Sequence, residues 1–132
     1  MAIARIGRDH FKTEIISNGH LVIADEPTNG GGTSQGSSPS EFLLVALASC
    51  TAITLRMYAD RKKWALDKIE VEVNLEKGAN TTLFTREVLL EGALDNEQRE
   101  RLLQIANACP VHKILSNPIQ ISTKLIDAPF SG

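Results

Sequence analysis

Residues 42–55 are apolar on nearly every side of a helical wheel, interrupted only by Ser49, Cys50, Thr51 and Thr54. Ser38-Pro39-Ser40-Glu41 in front of them reads as a helix start. Ser38 is the N-cap, Pro39 sits at N1 where a missing N–H costs nothing, and Glu41 at N3 can reach back to the cap. No breaker follows before about Lys63, and Arg56, Arg61, Lys62 and Lys63 crowd the far end, where cations complement the helix dipole. Such a helix is a rod of roughly 37 Å at ~1.5 Å per residue. Being hydrophobic all round, it must be covered all round. A chain of 132 residues has the length of one ordinary domain and too little else to wrap that rod alone. The run therefore predicts a central helix covered partly by its own sheet and partly by a second copy of the chain. At about fourteen residues the apolar stretch falls short of the roughly 20 a membrane span needs, so a buried helix is expected and no membrane partner.

The remaining pattern is that of short strands and amphipathic helices. Residues 2–6, 11–16 and 21–24 read as antiparallel strands, with Asn18-Gly19 between the last two as a hairpin signal. Residues 26–38, rich in Pro, Gly, Ser and Thr, are expected as a mobile loop or lid. They carry no Gly-Lys-Ser/Thr or GxGxxG pattern, so a phosphate cradle is not indicated. Residues 69–75 alternate Ile69, Val71, Val73 and Leu75 with polar neighbours and predict a strand, which turns at 78–80 into a second one over 82–91. Asp95 to Gln98 is another cap, opening a helix that must stop near Pro110; a short helical segment follows over 111–116. Ile119, Ile121, Thr123 and Leu125 alternate as a final strand. The order predicts a single α+β domain over residues 1–132.

Fourteen basic against sixteen acidic residues give a net charge of −2, and no basic run is present, so nucleic acid is not an expected partner. Residues 1–10 lack an apolar signal core. Two cysteines, Cys50 and Cys109, then read as cytosolic thiols, buried or reactive, rather than a disulfide scaffold. A nucleophile at Cys50 with a resolving thiol at Cys109 is the sharper alternative to two small core residues. Zinc at Cys109-Pro110-Val111-His112 would need further ligands, and Cys50, His10 and His20 lack ligand spacing; no metal or cofactor is called for. His112 is expected as a solvated residue at a helix end.

Two charged residues stand out. Glu41 caps the long helix, and nine residues separate it from Cys50, so on one helix the two point ~180° apart and lie ~13.5 Å apart along the axis. If both serve one site, Glu41 of one subunit meets Cys50 of the other. Arg86 falls on the apolar phase of its strand with Phe84, Val88 and Leu90, so it either snorkels past the sheet edge or is buried against a carboxylate or thiolate partner. A thiol in a helix interior gains little from the dipole and needs a nearby cation to ionise, for which Arg86 is the candidate, held by Glu41.

The run from Ser38 through Cys50-Thr51, with Arg56-Met57-Tyr58-Ala59-Asp60-Arg61-Lys62 and Cys109-Pro110-Val111-His112-Lys113, resembles the OsmC/Ohr family, the osmotically inducible and organic hydroperoxide resistance proteins, and most closely its YhfA-like branch. The resemblance covers nearly the whole chain. It implies an intertwined homodimer with antiparallel sheets wrapped around long central helices. It also implies a peroxidatic cysteine in the long helix, a second cysteine in the Cys-Pro motif that forms a disulfide with it, and an Arg and a Glu that prepare the first thiolate. Cys50, Cys109 and Glu41 match those positions. The family's Arg lies ahead of the long helix, where residues 26–38 contain none; Arg86 stands in as the candidate.

Two functions follow from the resemblance. The first is a cytoplasmic thiol-dependent hydroperoxide reductase of oxidative stress defence, taking a small-molecule hydroperoxide and regenerated by an external dithiol reductant. The second is a non-catalytic dimeric stress protein, a thiol sensor or apolar-ligand binder of the same fold.

Overall fold

The computed structural model describes residues 1–130. They form two compact units, one of residues 1–42 with the tail from 121 on, the other of residues 43–120.

In the first unit, β1 (Ile3–Arg5), β2 (Thr13–Ser17) and β3 (His20–Ala24) make an antiparallel sheet in the order β1-β2-β3. Asn18 and Gly19 both take positive φ, 49° and 84°, the geometry a two-residue hairpin with the sheet's own twist requires. The segment after β3 is not the loose loop its composition suggests. Ala24 bridges to Ser37, a 3₁₀ turn forms at Thr28–Gly30, and the Asp25 side chain, 2% exposed, gathers the rest. Its carboxylate accepts from the backbone N–H of Glu26 at 2.7 Å, of Thr33 at 3.3 Å and of Gln35 at 3.2 Å, and from the Thr33 hydroxyl. Gly32 passes so close to this knot that a Cβ there would collide with the Glu26 carbonyl and the carboxylate.

Helix α1 (Pro39–Lys62) starts at the predicted cap: Ser38 N–H donates to Glu41 Oε1 at 3.0 Å and Glu41 N–H to Ser38 Oγ at 3.4 Å. The second unit holds its length from residue 43, with β4 (Leu66–Lys77) and β5 (Thr82–Gly92) as an antiparallel hairpin, then α2 (Asn96–Ala106) and α3 (Pro110–Leu115). Asp95 and Gln98 close a reciprocal capping box on α2. Along α1 a four-residue stripe, Leu47, Thr51, Leu55 and Ala59, is buried. Leu55 and Ala59 join Leu66, Leu102 and Ala106, and Leu47 joins Val73 and Cys109. The hairpin's inner pairs, Ile69 with Leu90, Val71 with Val88, Val73 with Arg86 and Leu75 with Phe84, put Arg86 on the face the alternation assigned. Arg56, near the end of α1, bonds Asp60 at 2.7 Å.

One expectation fails against this fold. Residues 119–125 form no strand, and Ile121 and Leu125 stand 87% and 99% exposed. Alternation supplies a face, but a strand also needs a partner, and no described strand pairs with these residues. The chain covers α1 only in part: the faces flanking the buried stripe leave Leu43, Val45, Ile53 and Met57 about half exposed.

Candidate functional site

Cys50 and Cys109 come together in the second unit. Cys109 follows α2 and is the N-cap of α3, with Pro110 at N1; its sulfur accepts the His112 N–H at 3.5 Å. It is fully buried among Leu47 and Val73, with Val111 and Leu115 packed alongside. Cys50 lies one residue before Thr51 on the edge of the α1 stripe, so its side chain is half-buried and packs on the same cluster. The two thiols lie close enough for each to shift the other's titration.

Their surroundings differ, and the difference decides where the charge sits. Burial pushes the Cys109 thiol up, but the Cys50 S–H, the N–H groups of His112 and Val111 and the Thr51 hydroxyl all favour its anion, and the net result lies below the ordinary thiol value. Cys50 is raised, first by burial and then by its hydrogen bond to Cys109 and the charge there; the Val111 N–H and the Thr54 hydroxyl only partly offset this. Of the two, Cys109 is the more acidic thiol and Cys50 holds its proton more firmly, and as a coupled pair they titrate as one unit. The expected resting thiolate at Cys50 is not what this geometry favours: a mid-helix thiol has no free backbone N–H to receive charge, whereas a helix cap has several.

Arg86 reaches the site one residue away from where it was sought. Its Nη1 donates to Thr51 Oγ1 at 3.0 Å, and its Nη2 to Asn107 Oδ1 at 3.0 Å and to His112 Nδ1 at 3.1 Å. A guanidinium only donates, so His112 Nδ1 accepts and the imidazole proton sits on Nε2. His112 is thus half-buried against a cation rather than solvated as expected. Thr51 Oγ1 also lies 2.7 Å from the Leu47 carbonyl; its single proton serves either that oxygen or Cys109. Arg86 has no carboxylate partner, the ion pairs among the described residues being Arg56–Asp60 and Lys68–Glu70. Beside Arg86 opens a cavity of about 250 Å³, walled by Leu47, Phe84 and Leu115 and edged by Thr82 and His112.

Glu41 is exposed, and its carboxylate is engaged by the Ser38 N–H, which holds it below the usual carboxylate range. Sequence reasoning missed Thr51, Asn107 and the role of His112. Thr51 had one signal, its place four residues after Leu47 and four before Leu55 on a single helix face.

Antiparallel sheets, a long helix that carries one thiol, and a second thiol in a Cys-Pro cap define an α+β fold with a cysteine pair. A family model described as OsmC-like protein matches residues 30–124, and the chain belongs to that family. The fold is shared with an OsmC-like protein from Mycoplasma pneumoniae (TM-score 0.75, 18% identity, 87% of this chain and 85% of that one). It is shared also with the organic hydroperoxide resistance protein OhrB of Bacillus subtilis (0.59, 23%, 88% and 89%) and with an organic hydroperoxide resistance protein from Legionella pneumophila (0.59, 21%, 88% and 88%). A search of curated sequences finds no match. By length and composition alone α1 is long and apolar enough to cross a membrane, where the sequence stretch was expected to fall short.

Proposed function

We propose that the chain is a thiol-dependent hydroperoxide reductase of the YhfA-like branch, a single-domain cytoplasmic homodimer of oxidative stress defence with Cys50 peroxidatic and Cys109 resolving. The observation that carries this reading is the contact between a half-buried thiol and a buried, charge-stabilised one. Cys109 thiolate takes the Cys50 proton as hydroperoxide approaches, and the Cys50 thiolate attacks the distal peroxide oxygen. The O–O bond breaks, Cys50 becomes sulfenic acid, and the departing alkoxide takes the proton back from Cys109 to leave as an alcohol. Cys109 thiolate then attacks the Cys50 sulfur, and hydroxide leaves and is protonated to water as the disulfide forms. An external dithiol restores both thiols by exchange and is itself oxidised. Arg86 supports the resolving thiol through Thr51.

The exposed Leu43, Val45, Ile53 and Met57 of α1 and the unpaired residues 119–125 supply the apolar surface and the strand edge that a second copy would cover. The raised Cys50 thiol favours the alternative, a thiol sensor or apolar-ligand binder without turnover. Consumption of cumene hydroperoxide and of hydrogen peroxide, with dihydrolipoamide or dithiothreitol as reductant, separates the two. Turnover that disappears in Cys50→Ser is expected. Reduced wild-type protein that leaves both peroxides intact overturns the reading.

A further inference from the structure

We propose that the cavity beside Arg86 is a binding site for a small apolar carboxylate, with the Arg86 guanidinium as its anion contact. Arg86 is half-buried, and everything it touches is neutral: the Thr51 hydroxyl, the Asn107 amide and the imidazole of His112. A cation drawn partly out of water is ordinarily paired with a carboxylate, and this one is not, as the two ion pairs elsewhere show. Three of its five N–H donors are used, which leaves two, and the side chain lines the cavity. With its Nδ1 committed to Arg86, His112 offers Nε2–H, which has no partner among the described residues, on the same wall.

The rest of the lining is three apolar side chains with the hydroxyls of Thr82 and Ser116 beside them. Leu47, Phe84 and Leu115 are those three, and the same side chains pack around Cys109 on their other side. The volume of about 250 Å³ is on the order of eight waters' share of liquid and below the ~300 Å³ where drug-sized pockets begin. A cation and an N–H donor over an apolar floor of that size select a short aryl or alkyl acid: the carboxylate meets Arg86 and the hydrocarbon meets Phe84 and the leucines. Inorganic anions would gain the charge contact but leave the apolar wall wet, and neutral analogues would gain the wall but leave the cation unpaired.

The test is calorimetric titration of the reduced full-length chain with 3-phenylpropanoate and with 3-phenylpropanamide. The acid should bind at least about tenfold more tightly than the amide, as charge-assisted hydrogen bonds outweigh neutral ones. Added salt should weaken the acid alone. Arg86→Met should bring the acid down to the amide's affinity, and Thr82→Trp, which fills the cavity mouth from an exposed strand end, should weaken both. If Arg86→Met does not fold, Thr82→Trp and the salt series still decide. Equal affinity for the two probes, no binding of either, or an acid preference that survives Arg86→Met overturns the proposal. No peroxide or reductant enters the measurement, so a chain without peroxidase activity can still pass it, and an active peroxidase can still fail it.

Discussion

Asp25 and Arg86 are both charged side chains drawn out of water, and the fold treats them differently. Asp25 is enclosed in its own loop by three backbone N–H groups and a hydroxyl. These donors hold its carboxyl below the usual range, the Thr33 hydroxyl bond outweighing the opposing effect of burial. Arg86 is held by three neutral acceptors, keeps two donors in reserve and borders an open space. A charge whose partners are all local and saturated is a structural knot; one supported from the side and open in front is equipped to act on something else.

Removing each charge should therefore break different things. The largest effect on stability is expected for Asp25→Ala, which orphans the Glu26, Thr33 and Gln35 N–H groups at once and leaves Gly32 and its neighbours without an anchor. Thermal unfolding should drop by many degrees, while alkylation of Cys50 by iodoacetamide in the folded protein keeps its wild-type rate. A changed alkylation rate in folded protein would mean that the loop and the thiols are coupled and that the contrast is false. Arg86→Met should do the reverse. Its three acceptors include an exposed Asn107 that water can serve, and the thioether suits the Phe84 wall, so stability should stay within about 1.5 kcal/mol of wild type. The Cys109 thiolate, read by its ultraviolet absorbance, should then titrate at higher pH. A collapse in stability with unaltered titration would make Arg86 the structural charge.

Acid supplies a milder version of the first experiment. The folded Asp25 carboxyl is depressed, so its contribution to stability is fully present above the unfolded value of about 3.9 and is lost as pH falls from there through the folded value. Urea midpoints measured between pH 5 and pH 2 should fall in wild type more than in Asp25→Asn. Parallel curves would show that the carboxylate's charge contributes nothing to the knot.

The sequence disclosed what local chemistry decides. The α1 start rests on Ser38 and Glu41, the first hairpin on Asn18-Gly19, and the placement of Arg86 on the inner face on a period of two. Each is settled within a few residues. It did not disclose Asp25 as a hub, because the donors arrive from Thr33 and Gln35 through a turn that no periodicity announces. Nor did it disclose which thiol carries charge. That depends on backbone N–H groups of α3 meeting a sulfur packed under α1, a contact between elements far apart in the chain. The misread strand over 119–125 has the same origin: alternation names a face, whereas the pairing that makes a strand is decided by residues far away in the chain.

Thr51→Val is the smallest change and the finest test of how Arg86 differs from Asp25. The valine keeps the shape on the buried stripe of α1 and adds a methyl to an apolar neighbourhood. It removes the one hydroxyl that accepts from Arg86 and can donate to Cys109. The Leu47 carbonyl loses only a second bond, so stability should shift by about 1 kcal/mol or less. If Arg86 supports Cys109 through that hydroxyl, Thr51→Val should move the thiolate titration in the same direction as Arg86→Met, by a smaller amount. The double variant should then move it no further than Arg86→Met alone, because both changes cut one path. Additive shifts would mean that the guanidinium acts on the sulfur directly through space, with Thr51 as a bystander. Thr51→Ser, which restores the hydroxyl, should return the titration to its wild-type position, an outcome that a purely packing role for Thr51 would not produce.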